Sequence, residues 1–428
     1  MVVVSEPERC IRVHHAAPLR GEVLVPGAKN SVLKLMAASL LADGTFEITN
    51  VPGIVDVGIM AELLRTIGVE VTETPEYGVV TITNTGDLTP VAPFELSEKI
   101  RASINVLGPL LTRCGEVTIA MPGGDDFGLR PIDMHIGGLE AMGATFEYDD
   151  GTVTARAERL HGAEITFVFP SVGATENIVT AAVLADGLTT IHNAAREPEI
   201  IDLCEFLVEM GARIDGAGTS TVRIEGVRPE DLHGCEHETV PDRIQAATYI
   251  AACAVTGGEL DLLNAQSKHM QMVLSRFRDM GLEIQPLPYG LRVAAPRRLR
   301  AADVATLPYP GIATDYKPLI ITMLAVADGV GVVTENLYPG RFAYVEELRR
   351  LGADITIDGH HALVRGVERL VGVPVVSHDI RAGAAMVVAG LAARGTTTIT
   401  GVHHIDRGYD DLVGRLSRVG AEIERIGC

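Results

Sequence analysis

Twelve glycines, falling in six pairs along 428 residues, constrain the fold of this chain more than any other feature. In each repeat a helix of apolar and small residues stops at a glycine and a strand follows. After a loop, an amphipathic helix stops at the second glycine, and a further strand usually closes the unit. The first copy runs from Ser31 through Gly44 and Thr45–Asn50 to Gly68, and the later pairs fall at Gly115 and Gly143, Gly187 and Gly211, Gly258 and Gly281, Gly329 and Gly352, and Gly395 and Gly420. Glycine just past a helix end supplies the left-handed residue that terminates it. The tags before the second stops also agree, as in Leu207-Val-Glu-Met-Gly-Ala, Leu348-Arg-Arg-Leu-Gly-Ala and Leu416-Ser-Arg-Val-Gly-Ala. A fixed period of this kind is the mark of a repeat architecture.

The two helices of a repeat have different duties. Tyr344-Val-Glu-Glu-Leu-Arg-Arg-Leu is amphipathic and expects one buried face, whereas Ala384-Ala-Met-Val-Val-Ala-Gly-Leu-Ala-Ala is apolar nearly all round and expects burial on every side. Strands must then surround the second kind. At this length two domains are expected. Three repeats in each predict an α/β fold of two inside-out α/β barrels, built of helix–strand–helix–strand repeats with buried central helices. The seam is expected near Glu238–Pro241, midway between the third and fourth repeats.

A net charge of −20 and a pI near 5.1 argue against nucleic acid or an anionic membrane as partner. An anionic substrate must therefore be held by local cations against the overall field. The six cysteines are scattered without a C-x-x-C pair, and the sequence opens Met1-Val-Val-Val-Ser-Glu without a secretion signal. That pattern predicts a reducing, cytoplasmic setting and no structural zinc. Apolar runs such as Ile178–Ala185 are too short to span a bilayer.

The segments entering the apolar helices carry the chemistry: Lys29-Asn30, Arg101, Ser171–Thr175, Asp242-Arg243, Thr314-Asp315 and Asp379–Arg381. If these helices run parallel within a domain, their N-termini open onto one space where backbone N–H groups attract phosphate or carboxylate. Ordinary capping accounts for Ser171, Thr175, Asp242, Thr314 and Asp315. It does not account for Lys29, Arg101, Arg243 or Arg381, since a cation there opposes the helix dipole. Only five lysines occur, and Lys29 and Lys317 are at these entrances.

One further stretch, Met121-Pro-Gly-Gly-Asp-Asp-Phe-Gly-Leu-Arg130-Pro-Ile-Asp-Met-His135, joins two glycines and two carboxylates to an arginine and a helix entry. It reads either as a lid with an acid at its tip or as a surface turn with solvated aspartates. His135, just after it, is expected to orient Asp133 or a ligand. The run His233-Gly-Cys-Glu-His237 reads as a solvated linker at the seam rather than a metal site.

With Gly27-Ala-Lys-Asn30, Arg101-Ala-Ser, Pro122-Gly-Gly, Gly128-x-Arg-Pro-x-Asp-x-His135, Pro170–Thr175, Asn193-Ala-Ala-Arg-Glu-Pro-Glu199, Asp242-Arg-Ile, Thr314-Asp315, Arg341-Phe, Asp379-Ile-Arg381 and His404–Tyr409 in this order, nearly the whole chain resembles the enolpyruvyl transferase family. The resemblance implies two EPSP synthase-like barrels, the first discontinuous: residues 1–27 with 240–428, and residues 28–239 carrying the lid. It implies transfer of the enolpyruvyl unit of phosphoenolpyruvate to a hydroxyl of a uridine nucleotide, with no cofactor, no metal and no obligate protein partner. Asp315 is then the base, and Asp125 the proton donor, with Asp126 as the other candidate. Lys29, Arg130 and Arg407 would hold the phosphate, with Lys29 also catalytic, and Arg341 and Arg381 the carboxylate. The nucleotide maps to Asn30, Arg101, Arg130, Pro131, Ile132, Asp133, Met134, Ser171, Val172, Gly173, Thr314 and Asp315.

Departures bear on two points. Most family members have cysteine where this chain has Asp125, and fosfomycin alkylates that cysteine, so resistance is expected. Around the base, Ala313-Thr-Asp-Tyr-Lys317, Pro339-Gly-Arg-Phe342 and Gln245 differ from the usual residues. Lys317 would suit a phosphate in place of a sugar amide. Two acceptors therefore stand open, the 3-hydroxyl of UDP-N-acetylglucosamine and the 3′-hydroxyl of UMP.

Overall fold

A computed structural model of the chain describes residues 9–123 and 131–427. The acid candidates Asp125 and Asp126, and Arg130, lie outside the described residues. The rest divides into two compact units, one of residues 9–26 and 241–427 and the other of residues 27–123 and 131–240.

Each repeat builds one four-stranded sheet to the same plan. In the third, Glu164–Thr166 runs parallel to Leu188–His192, which pairs antiparallel with Thr221–Glu225, and that strand pairs antiparallel with Arg213–Asp215. The parallel pair needs a crossover, and the apolar helix Val172–Ala182 supplies it. Segments distant in sequence complete three other sheets. Glu236–Glu238 lies parallel to Gly44–Thr49, Arg20–Leu24 lies parallel to Glu259–Leu263, and Arg9–His14 sits between Thr396–Thr400 and Ile423–Gly427. Strands such as Val79–Asn84 alternate partly exposed and buried residues, so one face of each sheet turns to the helices.

The crossover helices are the cores. All nine residues of Lys317–Ala325 are buried, and so are all but Ala392 of Ile380–Ala392. In the discontinuous unit Arg243–Thr256, Lys317–Ala325 and Ile380–Ala392 pack pairwise against one another. In the continuous unit Leu107–Cys114 packs on Val172–Ala182, and Lys29–Ala38 reaches them through the 3₁₀ turn Arg101–Val106.

The glycine stops behave as the repeat demands, with positive φ at every one except Gly258. There the preceding residue, Gly257 (φ 66°), closes the helix instead. A different constraint holds at Gly108, inside a buried helix. A Cβ there would lie 2.5 Å from the Asn177 carbonyl oxygen and 2.6 Å from Thr180 Oγ1. Neither backbone nor a pinned hydroxyl yields easily, so Gly108→Ala is expected to cost about 1–3 kcal/mol, the usual penalty of overpacking. Urea unfolding of the variant beside the parent checks this.

The segment at 233–237 corrects the expectation of a solvated linker. Its second half is a strand, and His237 is buried, with Nε2 3.1 Å from Asp202 Oδ1 and Nδ1 2.7 Å from Glu209 Oε2. Asp202 also accepts from the Ser31 hydroxyl and from the Val240 N–H at 3.2 Å. Asp202, on the helix Pro198–Glu209, thus ties the first crossover helix to the strand at the end of its unit. Cys114, Cys204, Cys235 and Cys253 are free thiols, whereas Cys10 is disulfide-bonded, which the scattered cysteines did not announce. Among the described residues no helix is long and apolar enough to cross a membrane, and no three side chains are grouped to hold a metal ion.

Candidate active site

In the discontinuous unit the entrances of the three buried helices meet. Asp242 and Asp379 cap two of them. Asp242 Oδ1 accepts from the N–H groups of Ile244 and Gln245 at 2.8 and 2.9 Å, and Asp379 Oδ1 from those of Arg381 and Ala382 at 2.8 and 2.9 Å. This amends the expectation that free backbone N–H groups receive the anion. Those donors already have partners, which leaves the arginine side chains beside the caps as the candidate anion ligands. Arg243 donates to the Tyr316 hydroxyl at 3.3 Å, and the Arg381 guanidinium lies over the Tyr409 ring, 5.5 Å from its centre.

The third entrance, the 3₁₀ turn Thr314–Tyr316, has no side-chain cap. Its Asp315 reaches out instead. Oδ1 accepts from Arg341 Nη1 at 2.8 Å, and Oδ2 from Arg381 Nε at 3.2 Å. The arginines are almost wholly buried, at 3% and 5% side-chain exposure, while Asp315 keeps 24%. Burial alone would raise the Asp315 carboxyl, but the Arg341 and Arg381 guanidiniums override it and hold it well below the usual carboxylate range. Arg407 is half-buried, one residue before Gly408, whose carbonyl accepts from Gln245 Nε2 at 3.5 Å. Gln245, Thr314, Asp315, Arg341, Arg381 and the loop bearing Arg407 are thus drawn to one end of this unit.

Lys317 is where the structure overturns the sequence expectation. Its side chain is fully buried, with Nζ 2.9 Å from Glu335 Oε2 and 3.9 Å from the centre of the Phe342 ring, and it donates to the Arg341 carbonyl. Burial pushes its ammonium down to about 8 against the pull of Glu335. Glu335 also accepts from Thr306 Oγ1 at 2.6 Å, Thr314 Oγ1 at 2.7 Å, and the N–H groups of Leu337 and Tyr338 at 2.8 and 3.1 Å. Lys317 is therefore already paired inside its unit. It fastens the loop that carries Arg341 to the turn that carries Asp315. Gln245 is equally buried.

In the continuous unit Lys29 is buried, with Nζ 2.7 Å from the buried Asp56. Sequence reasoning missed Asp56, because an acid in the first turn of a surface helix reads as a dipole partner. Asn30 is half-buried, and its carbonyl accepts from Lys34 Nζ at 2.7 Å. Arg101 donates to the Pro122 carbonyl at 3.3 Å, and its charge is felt at His135.

His135 does not hold Asp133. The Gly108 N–H donates to Asn177 Oδ1 at 3.0 Å, which turns the amide nitrogen of Asn177 toward His135 Nδ1, also at 3.0 Å. Nδ1 is therefore an acceptor and the ring proton sits on Nε2. Burial, aided by Arg101, lowers the imidazole to about 4, so it is neutral at pH 7. Its Cε1 would lie 3.0 Å from a Cβ at Gly173, which brings His135 beside the turn Ser171–Gly173. Ser171 caps its helix through Ala174 N–H at 3.3 Å, whereas Thr175 lies inside it and is no cap. Ahead of the helix Asp133–Ala141, Pro131 is exposed and Ile132 buried. Within it Asp133 is exposed and Met134 half-buried, while Ser171, Val172 and Gly173 are half-buried.

Residues 13–416 match the family described as EPSP synthase (3-phosphoshikimate 1-carboxyvinyltransferase). The UDP-N-acetylglucosamine 1-carboxyvinyltransferase of Nocardia farcinica is 54% identical over 413 residues, 96% of each chain. That of Mycobacterium tuberculosis is 50% identical over 410 residues, 96% of this chain and 97% of the other. Among solved structures, the enolpyruvyl transferase NikO from Streptomyces tendae superposes with a TM-score of 0.88 at 24% identity, over 99% of this chain and all of that one. The EPSP synthase of Acinetobacter baumannii does so with a TM-score of 0.74 at 20% identity, over 98% of this chain and all of that one. At those identities the two structures speak to the fold.

Proposed function

The chain belongs to the EPSP synthase family, and from that premise we propose that it transfers the enolpyruvyl group of phosphoenolpyruvate to the 3-hydroxyl of UDP-N-acetylglucosamine, releasing phosphate. The product is a precursor of peptidoglycan. The observation that carries the reading is the placement of one carboxylate between two buried guanidiniums at the meeting of three helix entrances.

The chemistry is an addition followed by an elimination. The acceptor oxygen bonds to C2 of phosphoenolpyruvate as the methylene C3 takes a proton and becomes a methyl group. The acceptor's own proton goes to a base. In the second stage C3 gives a proton back, the C2–O bond to phosphate breaks, and the double bond re-forms as an enol ether. Asp315 is the base, the one member of the group it forms with Arg341 and Arg381 that keeps appreciable exposure. Arg341 and Arg381 hold the substrate carboxylate. Lys29 and Arg407 hold the phosphate together with Arg130, and Asp125 of the lid is the acid. The nucleotide lies along Asn30, Arg101, Pro131–Met134, Ser171–Gly173 and Thr314, with neutral His135 as a donor behind Gly173. A cytoplasmic setting suits a nucleotide-sugar acceptor.

The case for UMP as acceptor rests on departures at Ala313–Lys317, Pro339–Phe342 and Gln245, and two of these side chains, Lys317 and Gln245, can be placed. Both are committed inside their unit, so neither selects between acceptors, and the identity to the curated relatives favours UDP-N-acetylglucosamine. Phosphate release from phosphoenolpyruvate with UDP-N-acetylglucosamine, UMP and shikimate 3-phosphate in parallel tests this. Release is expected with the first. Release with UMP alone would reassign the acceptor, and none with any of the three would remove the activity.

An acid with no thiol at position 125 leaves fosfomycin nothing to alkylate there. The enzyme is expected to keep full activity after incubation with a molar excess of fosfomycin, and Asp125→Cys to become sensitive. Rapid loss of parent activity at one equivalent per chain would contradict this.

A further inference from the structure

We propose that Asp315 is an internal competitor for its own anion subsite: without ligand it occupies the guanidinium positions that the substrate carboxylate takes, and the arriving anion displaces it and frees it to act as base. The inference rests on the enolpyruvyl-transfer reading above.

Both oxygens of Asp315 are spent on the pair, Oδ1 on Arg341 and Oδ2 on Arg381, much as an incoming carboxylate would bridge two guanidiniums. Asp379, also near them, is not interchangeable with it. Asp379 lies 3.6 Å from Arg341 Nη2, but its Oδ1 is held by two helix N–H groups and it stays behind as fixed countercharge. Asp315 has no such duty, since its turn lacks a side-chain cap. It is also the most accessible of the three side chains, at 24% exposure against 3% and 5%. Arg381 Nη1 is buried with no hydrogen-bond partner among the described residues, a donor that Asp315 leaves unused.

A carboxylate clamped by two cations is a poor proton acceptor. Once a second anion draws those cations off, its affinity for a proton recovers. The device withholds the base until phosphoenolpyruvate is in place. It also makes ligand affinity a difference, because the anion binds only by as much as it outcompetes Asp315.

Calorimetry of phosphoenolpyruvate binding to the full-length parent and to Asp315→Asn tests this. The variant lacks the competing charge and is expected to bind about tenfold more tightly, within the usual range for coupled sites, although it turns over poorly. Equal or weaker binding by a folded variant overturns the inference. Should Asp315→Asn fail to fold, a crystal structure of the parent with phosphoenolpyruvate decides. Asp315 is expected beyond hydrogen-bond distance of Arg341, Arg381 or both, and both contacts intact would overturn the proposal. Phosphate release by the parent separates the two levels. Release without tighter binding sinks the competitor alone, whereas a parent that neither binds phosphoenolpyruvate nor releases phosphate sinks both.

Discussion

Asp315→Asn should lower kcat about 10²- to 10⁴-fold, the usual contribution of a positioned general base, while KM for the nucleotide changes little. Asparagine keeps the size and can still accept through its one amide oxygen from Arg341 or Arg381, but it cannot take the hydroxyl proton. The loss therefore belongs to the chemical step and appears equally in kcat and in kcat/KM for the nucleotide. Asp315→Glu separates charge from reach. It retains a carboxylate, but one methylene longer, so its oxygens no longer sit 2.8 and 3.2 Å from the two guanidiniums without adjustment. Steady-state kinetics with both substrates varied reads these outcomes. Activity of Asp315→Asn within tenfold of the parent would remove Asp315 as base.

The second large effect is on stability. Lys317→Met should destabilise the chain by about 3 kcal/mol, the lower end of the cost of breaking a buried ion pair from one side. Glu335 is then left charged and buried, softened by the two threonine hydroxyls and two backbone N–H groups it keeps. The ammonium's contact with the Phe342 ring also goes, though the Met side chain still packs there. For a unit of this size the change corresponds to a fall in Tm of about 6–12 °C. Lys317→Met with Glu335→Gln should recover most of it, because the uncompensated charge leaves with the glutamate. That non-additivity is the signature of the pair. Calorimetric unfolding of the parent, both single variants and the double variant checks it, and a cost under about 1 kcal/mol for Lys317→Met would contradict it.

How much of this was legible depended on the range of each interaction. Local rules gave the repeats. A glycine past a helix end must adopt positive φ, and the stops do so apart from the one-residue shift from Gly258 to Gly257. All-round apolar segments such as Ala384–Ala393 had to be enclosed, and this one is buried except at the half-buried Ala392. Ser171 and Asp242 read as caps and are caps, and Asp379, which did not read as one, caps its helix too. What the sequence hid lies between residues far apart in the chain. Nothing near Lys29 announces Asp56, and nothing near Lys317 announces Glu335, because a buried ion pair across elements has no period. From the sequence Lys317 therefore reads as a ligand-binding cation, whereas the structure makes it a fastener. His237 was misplaced for the same reason, since Asp202 and Glu209 are 35 and 28 residues away.

The central claim is that phosphoenolpyruvate gives up its enolpyruvyl group by addition and elimination, and isotope exchange at C3 tests it most directly. The reaction is run in deuterium oxide with UDP-N-acetylglucosamine, and the product is examined by proton NMR. Passage through a methyl group predicts deuterium in the vinyl methylene, with one phosphate released per product. An unlabelled methylene, or pyruvate formed with a phosphorylated acceptor, would contradict the account.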